Sequence, residues 1–233
     1  ENLDFLNFHF QTMMPPGPGR VEKAQAATER MRMAGRGFGA VPETYDLVES
    51  LYVELLGKLN EHFATLPYLL GGKPSIGDFG MIAPLYGHLG RDPKPLSLMQ
   101  AEAIRVFRWV ERMNRPEADA GEFENQEAAY LADDRISDSL VAVLKHLAID
   151  FVPETLAAAE CINHWIDQQY ELEAGTEALR GVGQCEFEVR GTTIRSLAQP
   201  YRFYLLERVQ GEYAALDDTQ RGEVNNLLEA CDM

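Results

Sequence analysis

The sequence predicts an all-α helical bundle with one small β-hairpin near residues 185–194. Three observations predict it. Apolar residues recur at spacings of three and four through most of the chain. Clusters of proline and glycine at 13–19, 67–74, 90–95 and 181–183 punctuate those runs. Strict alternation is confined to Cys185, Phe187 and Val189 against Glu186, Glu188 and Arg190. With 233 residues and 45% hydrophobic content, the chain can bury a sizeable core.

Residues 1–10 carry Leu3, Phe5, Leu6, Phe8 and Phe10, too apolar for a free tail, and are read as a short helix or extended piece docked on the bundle. Over 20–35, Val21, Ala24, Ala27, Thr28 and Met31 give a weak apolar face, which the glycines from Gly35 to Gly39 end. Pro42-Glu43-Thr44 opens a strong helix to about Ala64, with Val48, Leu51, Tyr52, Leu55, Leu56, Leu59 and Phe63 on one stripe. In the helix from Ser75, Phe79, Ile82, Ala83, Tyr86 and Leu89 share the expected inner face, and Pro84 removes one hydrogen bond. Gly90 to Pro95 reads as a stop, and a further helix as 100–114, with Ala103, Val106, Phe107, Val110 and Met113 inward. An acidic loop at 117–128 follows, then a helix over 136–151. Pro153 suits the first turn of another, with Leu156, Ile162, Trp165 and Ile166 inward. After the hairpin, Tyr201, Tyr204, Leu205 and Val209 form one helical face, and Val224, Leu227 and Leu228 a last one. The expected organisation is an N-terminal segment and loop over 1–42, a helical core over 43–116, and a helical extension with a hairpin over 117–233.

Charge and cysteine content narrow the function. A net charge of −16 opposes nucleic acid or an anionic membrane as the main partner. Cys161, Cys185 and Cys231 are odd in number and far apart, with no CxxC, so neither a disulfide framework nor a zinc knuckle is indicated. A reducing, cytoplasmic compartment fits. No apolar run approaches the ~18 residues of a membrane span. The chain begins with Glu1 rather than Met, as a fragment or a trimmed chain would.

The best-marked local feature is the helix start at Ser75-Ile76-Gly77-Asp78. The serine hydroxyl and the aspartate carboxylate, three residues apart, can each serve the other's backbone N–H in a capping box. The carboxylate also sits in the positive first turn of the helix dipole. From these local terms Asp78→Ala is expected to cost on the order of 1 kcal/mol or somewhat more.

Other motifs fail. Arg36-Gly37-Phe38-Gly39-Ala40-Val41 begins like an RNA-recognition signature but has Ala40 where a base-stacking aromatic belongs. GxGxxG, GxxxxGK[ST] and GxSxG are absent. His88 and Asp92, four apart, have ligand spacing, but Gly90 and Pro93 end the helix between them and no third ligand is near. His62, His146 and His164 read as structural, and Asp133-Asp134 and Asp217-Asp218 as turn acids or caps. Tyr86, His88, Arg91 and Asp92 form the densest polar group. It admits two readings: the border of a ligand cleft, or an ordinary helix C-terminus with Arg91 complementing the dipole.

Pro67-Tyr68-Leu69-Leu70-Gly71-Gly72-Lys73-Pro74-Ser75-Ile76-Gly77-Asp78-Phe79, then Pro84 to Leu89, Arg91-Asp92-Pro93 and Trp109-Val110-Glu111-Arg112-Met113, resemble the C-terminal helical domain of glutathione S-transferases. Several motifs stand in the family's order and spacing over 43–116; Gly77 replaces the usual alanine. The resemblance implies a helical bundle that walls the site of a small electrophilic co-substrate and often joins a homodimer. Glutathione is the family's co-substrate, held mainly by an N-terminal thioredoxin-like domain. No pattern of that domain precedes residue 43, so no catalytic residue is carried over and no covalent cofactor is expected. Ser75 and Asp78 match the family's structural box. Tyr86, His88 and Arg91 are the candidate co-substrate residues, in a half-open cleft walled by the 43–64 and 75–89 helices. Without the partner domain the chain is expected to be inactive alone. The alternative is a non-catalytic binding or scaffold module on the same fold.

Overall fold

In the computed structural model, which describes residues 2–117, 121–169, 172–173, 175, 177 and 179–233, the helical periodicities become α-helices and the alternating run becomes a two-stranded sheet. Part of the acidic loop, 118–120, lies outside the described residues. The chain divides into two compact units, Glu1–Arg32 with Glu49–Leu144, and Met33–Val48 with Lys145–Met233.

The first unit holds α1 (Asn2–Met13), the start of α2 (Arg20–Gly37), most of α3 (Tyr45–His62), α4 (Ile76–Gly87), α5 (Pro93–Glu102) and α6 (Ile104–Met113). Its core is built from Leu56, Leu59, Phe63, Met99, Val106 and Trp109, all at most 2% exposed. The Phe63 and Trp109 rings stack with centroids 5.3 Å apart. Tyr52 donates its hydroxyl to the Pro95 carbonyl at 3.2 Å, and burial pushes its pKa up to about 12, so the donor keeps its proton.

Three expectations change here. The stretch read as a stop opens α5 instead, because Pro93 stands at the first helical position, where its missing N–H costs nothing. Ala103, with φ −140 and ψ 57, then separates α5 from α6. The side chain of Asn60 accepts from Arg105 N at 3.0 Å, satisfying one of the orphan donors at the start of α6. The inner face of α4 is also rotated from the expected one. Asp78 and Leu85 are buried, whereas Phe79 is 61% exposed and Ile76, Ala83 and Tyr86 are exposed too. The helix turns its carboxylate inward because donors wait there. Finally, Val21 and Met31 of α2 are exposed, leaving Ala24 and Thr28 as its buried residues.

In the second unit α2 passes through Gly35 and ends at Gly37. Gly39, at φ +85, supplies the left-handed residue, and Ala40 N returns to Gly35 O at 2.9 Å. Strands β1 (Gln184–Val189) and β2 (Thr192–Leu197) pair antiparallel, with Phe187 opposite Ile194. The two-residue turn has positive φ at Arg190 and Gly191, the primed geometry whose twist matches the strands. Cys185, Phe187 and Val189 face inward and Glu186 and Glu188 outward. A Cβ on Gly39 would collide with Ile194 of β2, so glycine is required there twice over.

Helix α7 (Asp138–Asp167) is one helix, with Pro153 inside it. The sequence predicts a new helix starting at this proline; instead it lies inside one helix, forgoing a backbone hydrogen bond and crowding the preceding turn. Leu156 and Ile166 are exposed, and the buried side of this half runs through Ala158 and Ile162, which cluster with Cys185 and Ala198. Glu154 accepts from Ser196 Oγ at 2.8 Å and Arg202 Nη2 at 2.9 Å, tying α7 to β2 and to α8 (Pro200–Ala215). The α8 face of Tyr201, Tyr204, Leu205 and Val209 is exposed, not packed. In α9 (Asp218–Ala230) Asp217 Oδ1 accepts from Gln220 N at 2.9 Å and Gln220 Oε1 accepts from Asp217 N at 3.1 Å.

The cysteines are free. Burial pushes the Cys185 and Cys231 thiols up, which keeps them protonated and unreactive.

Candidate functional site

Ser75 and Asp78 meet at the start of α4. Ser75 Oγ lies 3.5 Å from Asp78 N, while Asp78 Oδ2 accepts from Ser75 N at 2.8 Å and from Ser75 Oγ at 2.7 Å. The other carboxylate oxygen, Oδ1, accepts from Leu69 N at 3.1 Å and from Trp109 Nε1 at 3.0 Å. Asp78 is fully buried, and these donors replace the water that its charge gives up. One carboxylate therefore joins the turn before α4, the start of α4 and the middle of α6.

Arg112, one turn beyond Trp109 and 3% exposed, donates from Nη2 to Pro67 O at 3.0 Å and lies over the Tyr68 and Phe123 rings, 5.5 Å from each. Arg108, hydrogen-bonded to Glu122 at 2.6 Å, holds that carboxyl below its usual range. The turn is fixed from the other side by the strand-like segment at 129–131. There Gly72 N donates to Ala129 O at 2.7 Å and Leu131 N to Leu70 O at 2.9 Å.

His62, fully buried, closes this cluster. Its Nε2 lies 3.2 Å from Tyr68 O, which can only accept, so Nε2 carries the proton and Nδ1 accepts from Ser139 Oγ at 2.9 Å. Burial lowers its pKa from 6.5, against smaller opposing effects of the Tyr68 carbonyl and the Asp78 charge. The stability contributed is complete above pH 6.5 and is lost as the pH falls toward the folded value, because the unfolded chain takes up the proton first. The urea midpoint is therefore expected to drop between about pH 7.5 and about pH 5.5, and less steeply in His62→Gln. Equal slopes in parent and variant would contradict the assignment.

A second feature lies at the other end of α4. A cavity of about 500 Å³ is lined there by His88, Arg91 and Asp92, with Gly87 at the helix end. Its apolar side comes from α1 and α2, through residues such as Phe5, Phe10, Met13 and Met31. Phe5 and Met13 keep 40% and 65% of their surface exposed, so the cavity opens to solvent. The expected walls differ: α3 contributes nothing to the lining, and neither does Tyr86. His88 and Arg91 line it together, whereas Ser75 and Asp78 belong to the buried clasp at the opposite end of the helix. No group of three or more metal-ligating side chains occurs among the described residues.

One stretch of the chain matches a known family model. A long helix, a fixed turn, a Ser–Asp boxed helix and a helix carrying the buried Trp109 and Arg112 follow one another, and residues 42–112 match the family model for the glutathione S-transferase C-terminal domain. Residues 42–112 are a glutathione S-transferase C-terminal domain. Comparison with curated proteins and with solved structures gives no match.

In this C-terminal domain the partners of Asp78, Leu69 and Trp109, carry no local signal of their own.

Proposed function

We propose that the chain forms the co-substrate side of a glutathione S-transferase-like protein, in which glutathione is held and its thiol activated by a thioredoxin-like domain that this chain does not supply. The reaction is conjugation of glutathione to a small electrophile, or thiol transfer. The observation that carries the reading is the family match over residues 42–112, whose boxed helix runs from the buried clasp to an open cavity edged by His88 and Arg91. The described strands are only those of the hairpin, which offers no thioredoxin-like sheet. No described helix is long and apolar enough to cross a membrane. A cytoplasmic homodimer is part of the proposal.

The test is glutathione conjugation to 1-chloro-2,4-dinitrobenzene, together with disulfide exchange. The chain alone should give the uncatalysed rate, and the natural gene product with a thioredoxin-like domain a rate well above it. A full gene product inactive in both assays would overturn the reading. The second reading, a non-catalytic scaffold on this fold, draws on the exposed α8 face of Tyr201, Tyr204, Leu205 and Val209. That result would favour it.

A further inference from the structure

We infer that the free edge of β1 is a docking site for an extended peptide with lysine or arginine at alternate positions, which adds antiparallel to the hairpin as a third strand. The site lies in the second unit, outside residues 42–112, and does not depend on the transferase reading.

The two edges of the hairpin differ. The two-residue turn at Arg190 and Gly191 makes Val189 and Thr192 the first hydrogen-bonded pair, so bonding to β2 recurs at Phe187 and Cys185. Glu186 and Glu188 alternate with these residues, and their main-chain N–H and C=O groups point away from β2. On β2 the equivalent position opposite Glu186 is Arg195, whose carbonyl turns toward the loop after α2: a Cβ on Gly39 would stand 2.9 Å from it. That loop closes the β2 edge. At the β1 edge Gln184 O accepts from Cys161 Sγ at 3.9 Å, but the main chain of Glu186 and of Glu188 has no partner among the described residues. Two donors and two acceptors therefore stand in the plane of the sheet, in the alternation that an added strand pairs with.

The side chains choose the occupant. Glu186 and Glu188 project from the outer face and line the open edge. Each is engaged only from the β2 side and through one oxygen, Oε1: Glu186 by Arg195 at 2.5 Å, Glu188 by the Thr193 hydroxyl. A strand laid beside β1 brings every second side chain opposite these acids. Opposite charges are favourable in such cross-strand pairs and like charges unfavourable. The same rule disfavours a second copy of the chain. Antiparallel self-pairing centred on Phe187 would set Glu186 against Glu188 of the other copy at both ends, and a net charge of −16 adds to the repulsion. The intervening residues of the added strand continue the inner face of Cys185, Phe187 and Val189, which suits apolar side chains.

The test is titration of the 233-residue chain with a capped hexapeptide that alternates lysine and valine, followed by amide hydrogen exchange. At saturation, exchange at Glu186 and Glu188 is expected to slow about tenfold, because both amides gain an acceptor. A hexapeptide with glutamate in place of lysine should bind about tenfold more weakly. The lysine peptide N-methylated at its lysines, whose N–H groups face Glu186 and Glu188, keeps its charge and should also lose about tenfold. Glu186→Gln combined with Glu188→Gln should cancel the preference for lysine over glutamate and leave the sensitivity to N-methylation. No binding of the lysine peptide would show that the acids only guard the edge, and would overturn the inference. So would equal binding of the N-methylated peptide, which would mark adsorption by charge alone. Concentration-dependent protection of the Glu186 and Glu188 amides in the chain by itself would assign the edge to a second copy and overturn it too.

Discussion

Asp78→Ala is expected to lower stability by about 4 kcal/mol, a fall in melting temperature of roughly 10 °C for a chain of this length. The cap and dipole terms alone are worth about 1 kcal/mol. The larger figure comes from what the carboxylate holds elsewhere. Truncation leaves Leu69 N, Ser75 N and Trp109 Nε1 without their acceptor, in a place where Ser75 is 4% exposed and Trp109 not exposed at all. Each buried donor left unsatisfied costs about 1–3 kcal/mol. Asp78→Asn keeps an acceptor oxygen on one side but turns an amide N–H₂ toward donors on the other, so it should cost about half as much. Thermal melts of parent and both variants check this. A melt for Asp78→Ala within about 3 °C of the parent would mean that the donors find other acceptors.

Gly72→Ala is expected to cost about 3 kcal/mol by a different route. A Cβ at Gly72 would fall on the backbone carbonyl of Glu127, far inside contact distance. The neighbour is main chain rather than the end of a side chain, so residues 126–131 must move to make room. That movement breaks Gly72 N to Ala129 O and Leu131 N to Leu70 O, and draws Tyr130 from beneath Lys73, whose Nζ stands 4.1 Å from the ring centroid. Hydrogen exchange in the variant should speed up at Gly72 and Leu131 before it changes in α6. Unchanged protection at both amides would show that the strap tolerates the methyl.

What the sequence made legible was whatever lies within one turn of itself. Ser75 and Asp78 are three residues apart, so their box depends on local geometry; Asp217 was read only as a turn acid or cap, and its box with Gln220 appears in the structure. The hairpin depends on alternation and on a glycine at the turn. The partners of Asp78 were not legible, because Trp109 lies 31 residues further on and nothing in either segment specifies the pairing. The face of α4 was misread for the same reason. A hydropathy stripe sends Phe79 and Tyr86 inward, but the buried donors of Leu69 and Trp109 draw the carboxylate in and rotate the stripe outward. Proline was misread twice in opposite senses. Pro93 opens a helix, and Pro153 sits inside one, because a proline's position in a helix decides its cost. In the candidate cavity His88 and Arg91 were close in sequence and could be grouped from it; the opposing wall from α1 could not, since it is some 80 residues away in the chain.

The chain has two tryptophans, and each compact unit holds one. Trp109 is sealed against Phe63 with its indole N–H on a carboxylate, while Trp165 is half-buried in the second unit. Trp165→Phe and Trp109→Phe variants, excited where tyrosine does not absorb, thus each report the melting of one unit, and comparing the two reads the order in which the units melt without any attached label.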